Sequence, residues 1–356
     1  VKLTVLDATD SAAWNDALQD ARWSHSDVYF SCDWYRHWQR RGSGDGRALL
    51  IEDRDAHFFY PFLIRAIEGY DIPQGMCDVE TAYGYGGVIA TDTGRQVDDD
   101  LVVEFNSVVD SWMAEQRVVC EFLRLAPELN RQRYRSLDYD RVRSDLYLEV
   151  GGRSIDEIWT SFAGPTRTAI RKAGRNGLEI MVDGGLTRIG EFAEIYQQAA
   201  ARIGMAAFYH FDHSYFETVA DELGRQCLLL LVCRGAEVVA GSLWLLGGDV
   251  LHYYLGATRD DALDLRCADM YMWGAIEWAA QHPEISRLHF GGGLALAQDS
   301  LFRFKSKYAD HQEDVFVATG IHEPAVRDRL VTQWRARYPH LIEEHGHKLL
   351  CYRIVE

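Results

Sequence analysis

The sequence lacks several things that would assign a function at once. It has no apolar run of about eighteen residues, and its start, VKLTVLDATDSAAW, has neither the basic end nor the apolar stretch of a signal peptide. The expectation is a chain without membrane insertion and with a cytoplasmic location. The seven cysteines, at 32, 77, 120, 227, 233, 267 and 351, form no CxxC pair, which fits buried thiols in a reducing compartment. No HExxH segment is present, so no metal is expected. No GxGxxG follows a predicted strand and no P-loop occurs, which removes the two commonest nucleotide-binding motifs. Positive charge is scarce as well. Against 54 Asp and Glu there are 37 Lys and Arg, a net charge of −17. Such a surface repels phosphate backbones and argues against a general DNA binder, while leaving room for a local basic groove.

What is present is apolar and aromatic. With 356 residues, 47% of them hydrophobic and 12% aromatic, the chain is long for one core and comfortable for two. Ten tryptophans and eighteen tyrosines exceed what a core buries completely, so some are expected to wall a groove. Along the chain, Ser31 can cap a short aromatic helix in YFSCDWYRHW, 29–38. ALLIEDRDAHFFYPFLIRAI, 48–67, reads as two strands joined at 52–55. A helix over 101–115, begun by the acids at 98–100, precedes the strand 118–125. LYLEV closes this part near Val150.

The order then repeats. A helix over 186–201 has its apolar stripe at Leu186, Ile189, Phe192, Ala193 and Tyr196. SYFE at 214–217 reads as a capping box. Strands from 227, 238 and 250, separated by short turns, read as an antiparallel meander. A helix over 265–280 and a strand over 286–290 follow, with a last helix over 323–337. The shared order predicts two copies of one α/β unit, 1–150 and 151–322, with 323–356 packing back on either.

Three stretches carry chemistry. In FAGPTRTAIRKAGRNG, 162–177, Pro165 suits a first helical turn and Asn176-Gly177 a stop. Arg167, Arg171 and Arg175 recur every four residues and so share a face, Lys172 widens it, and the segment has no acid. This face is expected to hold an anion such as phosphate. The alternative is a solvated helix whose arginines pair with acids elsewhere. In LHFGGGLALAQDSLFRFKSKY, 288–308, a strand runs into Gly291, Gly292 and Gly293, where backbone can approach a ligand closely. Arg303, Lys305 and Lys307 then alternate with Phe302, Phe304 and Tyr308. As an extended segment this would put charge on one side and rings on the other. Lys305 is the first choice for stabilising an oxyanion; an edge strand with a basic face is the alternative. In TAYGYGGVI, 81–89, Tyr83 and Tyr85 offer flat walls to an acceptor, or form a simple aromatic turn. Asp269, His252, Tyr253, Tyr254, Asp212 and His213 are the weaker acid–base candidates. Cys120 and Cys267 are rejected as nucleophiles for want of an activating histidine.

TRTAIRKAGRNGLEI at 166–180 together with SLFRFKSKYAD at 300–310 resembles the FemAB-like family of tandem acetyltransferase-fold proteins. YGYGG at 83–87 resembles a first-domain loop that in that family lies near the acceptor. VYFSCDWYRHW at 28–38 is similar to an opening helix of the wider group. The resemblance implies an α/β (α+β) chain of two tandem GNAT-like domains with mixed, largely antiparallel sheets. It implies transfer of an aminoacyl group from aminoacyl-tRNA, a co-substrate rather than a bound cofactor, to an amine of a peptide, a peptidoglycan precursor or a natural-product intermediate. Phe304 and Lys305 would fall at the phenylalanine-lysine motif, where Lys305 would stabilise the developing negative charge or the donor's terminal adenosine; Asp269, from the acid–base candidates, joins them as a catalytic residue. Arg303 and Lys307 would aid phosphate contacts, Arg167, Arg171 and Lys172 would be anion contacts near the same groove, and Arg175, Gly291 and Gly292 complete the donor- and anion-binding set. Trp34, Tyr35 and Tyr254 would join Tyr83 and Tyr85 at the acceptor.

The sequence departs from the pattern in two places: no long charged arm lies between 178 and 214, and KYAD replaces a lysine-aromatic-glycine ending. Small-molecule tailoring therefore stands beside cell-wall bridging. Acyl-CoA is the alternative donor, although no RxxGxG/A segment precedes a helix. A non-catalytic protein that binds a phosphorylated ligand is the alternative of another class.

Overall fold

The computed structural model describes residues 1–19, 23–25, 27–53, 56–91, 97–130, 132–293 and 299–355. The chain forms two compact units. Unit 1 comprises Val1–His25, Tyr29–Val142 and Val315–Glu356, and unit 2 comprises Ser26–Val28 and Arg143–Asp314. The chain thus divides at 142/143 and 314/315, where the sequence pattern placed the divisions at 150 and 322. The C-terminal segment belongs to unit 1.

Unit 1 runs β1 (Lys2–Asp7), α1 (Ser11–Gln19), α2 (Cys32–Arg40), β2 (Asp45–Glu52), β3 (His57–Ala66), β4 (Cys77–Glu80), β5 (Ile89–Ala90), α3 (Asp99–Glu115) and β6 (Val118–Arg124). β1, β2, β3 and β4 pair antiparallel in that order, and β4 pairs parallel with β6. The helix starts follow from the caps. Ser31 accepts from the Trp34 amide at 3.2 Å, and Asp98 accepts from the Asp100 amide at 2.8 Å. Phe58, Phe62, Phe105 and Trp112 fill the space between sheet and α3, with Phe58 stacked on Phe105 at 4.5 Å.

One group in this core is charged. Arg135 makes two bonds to the Glu121 carboxylate, at 2.8 and 2.7 Å, and others to Asn106 and Asp110. Tyr60 and His322 lie at hydrogen-bond distance from the same carboxylate. Burial alone would push Glu121 up, but Arg135 and His322 outweigh it and hold the carboxyl at about 2.

The chain enters unit 2 within β7 (Asp138–Glu149) and continues through α4 (Ile155–Ser161), α5 (Gly164–Arg175), β8 (Leu178–Asp183), α6 (Ile189–Ile203), α7 (His213–Leu223), β9 (Cys227–Arg234), β10 (Glu237–Gly247), β11 (Val250–Thr258), α8 (Cys267–Ala280), β12 (Arg287–Gly291) and α9 (Ser300–Lys305). It returns to unit 1 within β13 (His311–Ile321), which is followed by α10 (Pro324–Arg337). β8, β9, β10 and β11 pair antiparallel in order, and β11 pairs parallel with β12. This is the same strand order, with the same parallel pair, as unit 1. β9 explains its own sequence: all seven residues of CLLLLVC are buried, because α8 packs on one side of this part of the sheet and α6 on the other.

Three local expectations need correction. Residues 300–305 are helical, not extended, because Asp299 accepts from the Phe302 amide at 2.8 Å and caps a turn. The helix after His210 starts at His213 with Asp212 as its cap, so Ser214 and Glu217 are not a capping box. The capping box is at Ser154 and Glu157, ahead of α4. Leu186 lies before α6 in a left-handed conformation.

Candidate active site

The site is built where β11 and β12 part. Their parallel register runs only from Val250/Arg287 to His252/His289. Beyond it β12 reaches Gly291, whose φ of +66° suits glycine, and turns away. Gly292 follows in a position where a Cβ would meet Asp145 Oδ1 at 2.8 Å, so backbone passes closer to β7 than any side chain would permit. Residues 294–298, part of GLALAQ, lie outside the described residues.

The short α9 then aims one lysine back into the gap. Phe302, Lys305 and Tyr308 are three residues apart and point inward together. Lys305 is only 7% exposed; its Nζ donates to the Gly292 carbonyl at 2.9 Å and sits 5.1 Å from the centre of the Tyr253 ring. Burial lowers its proton affinity most, with Arg143 adding to it, while the charges of Asp145 and Asp299 oppose; the amine is brought down to about 8. An ammonium with one N–H engaged keeps two to offer, so this group can face a carbonyl oxygen that gains negative charge.

Asp269, on α8, is brought near but is already engaged. It accepts from Tyr308 Oη at 2.6 Å, and both are buried. That bond ties α8 to the end of α9, so Asp269 has a clear part in holding the lysine-bearing turn. Phe304 packs half-buried against the same core, 5.7 Å from the Tyr308 ring.

Helical geometry also separates the three cations that the sequence pattern put on one side. Arg303 and Lys307 are exposed, whereas Lys305 is buried; Lys307 lies over Phe304 instead. On α5 the expected stripe is real. Thr166, Ile170 and Ala173 are buried, Arg171, Lys172 and Arg175 are exposed, and Arg167 is half-buried. Arg171 lies over Trp159 at 5.1 Å. Among the described residues none of these four cations forms an ion pair, so the face is solvated but its arginines are not paired with acids.

The acceptor assignments divide. Trp34 and Tyr35 are completely buried, their polar atoms bonded to the carbonyls of Tyr83 and Pro61. Tyr85 is buried against Tyr29. All three are packing residues in this structure: the amphipathic pattern that put rings on α2 also buries Trp34 and Tyr35, and Tyr85 is packed in from the 83–87 loop. Tyr83 is half-buried against Trp38. Tyr254 bonds Tyr215 Oη, and by strand alternation it points to the face opposite Tyr253. The cysteines offer no nucleophile: burial pushes the Cys120 and Cys267 thiols up to about 12 and about 11. Sequence reasoning missed Asp145 and His289, which are buried beside Gly292; neither stands in a motif.

Comparison with known proteins bears on the fold. Residues 161–306, spanning α5 to α9, match the family model described as Acetyltransferase (GNAT) domain. The fold is similar to the crystal structure of FemX, with a TM-score of 0.66 and 13% identity, covering 92% of this chain and 99% of that one. It is also similar to a conserved protein of unknown function from Bacteroides thetaiotaomicron, with a TM-score of 0.56, 10% identity and coverage of 90% and 99%. A third likeness is to the C-terminal domain of a putative lysylphosphatidylglycerol synthetase from Agrobacterium fabrum, with a TM-score of 0.53, 13% identity and coverage of 88% and 92%. No curated protein matches the sequence.

Proposed function

From the matched GNAT domain and the fold shared with FemX, we propose that this chain is a FemAB-like N-acyltransferase moving an aminoacyl group from aminoacyl-tRNA to an amine of a peptide, a peptidoglycan precursor or a natural-product intermediate. The matched acetyltransferase domain supports acyl transfer in general. The observation that carries the finer reading is Lys305, a desolvated ammonium held by the Gly292 carbonyl inside the splay of β11 and β12. In the reaction a neutral amine adds to the ester carbonyl, so that an N–C bond forms and the C–O bond to the ribose breaks. The proton lost by the amine ends on the ribose oxygen. Lys305 stabilises the charge that develops on the carbonyl oxygen, and the site supplies proximity. No acyl-enzyme forms, since the cysteines are buried thiols.

Two features favour tRNA over acyl-CoA as donor. Among the described residues the cations of α5 have no carboxylate partners, and they match a ribose-phosphate backbone. Where acetyltransferase folds generally hold the CoA pyrophosphate, ahead of α8, this chain places Asp260, Asp261 and Asp264, and Arg266 stands at the helix start in a left-handed conformation. The arginines at that approach are already engaged by carboxylates, Arg202 with Asp260, Arg259 with Asp261 and Arg266 with Asp269 at 3.8 Å, which leaves them less available to a pyrophosphate.

The experiment titrates the purified protein at low salt with aminoacylated tRNA, uncharged tRNA and acyl-CoA. Charged tRNA is expected to bind best, and Lys305→Ala to weaken it. Tight acyl-CoA binding with indifference to tRNA overturns the donor. The triple variant Arg167→Gln, Arg171→Gln, Arg175→Gln is expected to weaken tRNA binding and to flatten its salt dependence by roughly 2–3 in the log–log slope, about 0.7–0.9 for each of three phosphates left unneutralised. An unchanged slope would place the tRNA elsewhere.

A further inference from the structure

Two buried histidines of unit 2 take no part in the transfer step as written. His252 on β11 and His289 on β12 are register partners, and their rings meet Nδ1 to Nδ1 at 2.8 Å. Each turns its other nitrogen to a carboxylate. His252 Nε2 lies 3.1 Å from Asp27 Oδ1, and His289 Nε2 lies 3.2 Å from Asp145 Oδ2. None of the four residues is more than 7% exposed. The far end of this chain of groups reaches the active site, because Asp145 Oδ1 crowds Gly292, whose carbonyl holds Lys305.

The protons can be counted. A nitrogen-to-nitrogen contact of this length needs one proton between the two Nδ1 atoms. His289 Nε2 bonds the Asp145 carboxylate and so carries a proton. His252 Nε2 lies 3.1 Å from the Asp27 carboxylate without hydrogen-bond geometry, but a bare lone pair there would be repelled by that charge, which favours a proton on it too. Two rings with three protons hold one positive charge. It lies between two carboxylates, and Arg143, 2.9 Å from Asp145 Oδ1, supplies a second. The other groups around the pair are Tyr147, stacked on His289 at 4.5 Å, with His311 and Arg287 against Tyr147, and Lys305 and Asp299 from the α9 side.

We propose that His252 and His289 are positioning residues for transfer: sharing one proton, they neutralise Asp145 and so set the charge state of Lys305, while clamping the end of β12 from which Gly292 orients it. This rests on Lys305 being the group that faces the reacting carbonyl. Burial is what depresses the proton affinity of Lys305 most, and the charge balance limits how far Asp145 can oppose it. Asp145 is compensated from its other side: burial would raise it, yet His289 and Arg143 together hold it well below the usual carboxylate range.

The chain has five lysines, Lys2, Lys172, Lys305, Lys307 and Lys348, so a carbon spectrum of protein labelled at the lysine ε-carbon is readable, with Lys305→Arg giving the assignment. The Lys305 midpoint is expected to rise by about one pH unit in His289→Gln, which leaves Asp145 less compensated, and to fall in Asp145→Asn. A purely structural role for the pair does not predict opposite directions. Midpoints that stay put, or move the same way, overturn the proposal. The wild type provides a second measurement that requires no variant to fold: a far-downfield ring N–H proton from the shared bond is expected, and its absence also overturns the proposal. Both readouts use protein alone. If they hold and charged tRNA does not bind, the donor assignment fails and this inference stands.

Discussion

Lys305→Met is expected to lower the turnover number of aminoacyl transfer by about 10²–10³-fold, or roughly 3–4 kcal/mol of transition-state stabilisation, the range for removing one preorganised oxyanion donor. Methionine is close to lysine in length and lacks the charge, so the cavity between Tyr253 and Gly292 stays filled. The fold is expected to survive, because the variant also removes a buried cation whose desolvation opposes folding. Activity and thermal melting measured side by side separate the two effects. Activity within a few-fold of wild type would remove Lys305 from the reacting carbonyl. The pH profile gives the sign independently. With an acceptor amine that is neutral throughout the range, the rate should hold below about 8 and fall as pH rises through it, since the ammonium is then lost. A rate that rises through the same pH would make the lysine a base.

Arg135→Met is expected to destabilise unit 1 by about 3–5 kcal/mol, the range for breaking a buried ion pair from one side. Glu121 has no exposed side-chain surface, and without the two Arg135 bonds it must either stay charged in the core or take up a proton. Denaturant melting measures the destabilisation. The double variant Arg135→Met, Glu121→Leu should recover most of it, since the apolar pair leaves no orphaned charge. If the double variant is as unstable as the single, the effect arises from Asn106 and Tyr60 rather than from the carboxylate. The pH dependence follows from the depressed Glu121. Its contribution is complete above the ordinary glutamate range near 4.3, and is lost as pH falls from there through about 2. That acid-sensitive component should be missing in the double variant.

The elements were legible where local chemistry is sufficient. Ser31 caps the helix it was expected to cap, the acids at 98–100 stand at the start of α3 as expected, Pro165 and Asn176-Gly177 bound α5, and the short turns after β9 and β10 make the meander antiparallel. The alternation of Arg303, Lys305 and Lys307 misled because a period of two reads as a strand, while one capping bond from Asp299 is enough to wind the same residues into a helix. Rings misled in the other direction. Composition required some aromatic side chains to be exposed, but not which ones, and Trp34, Tyr35 and Tyr85 turned out to be core.

By itself the sequence determined the repeated α/β order, the basic face of α5 and the lysine worth testing, because helical period, turn length and residue chemistry act over a few positions. Only the tertiary structure decided that Lys305 is buried on the Gly292 carbonyl, that Asp269 is bound to Tyr308, and that His252, His289, Asp145 and Asp27 form one chain of groups. Those interactions join residues far apart along the chain. They exist because β11 lies parallel to β12 and β12 lies against β7, a pairing set by the burial of whole strands rather than by any local signal.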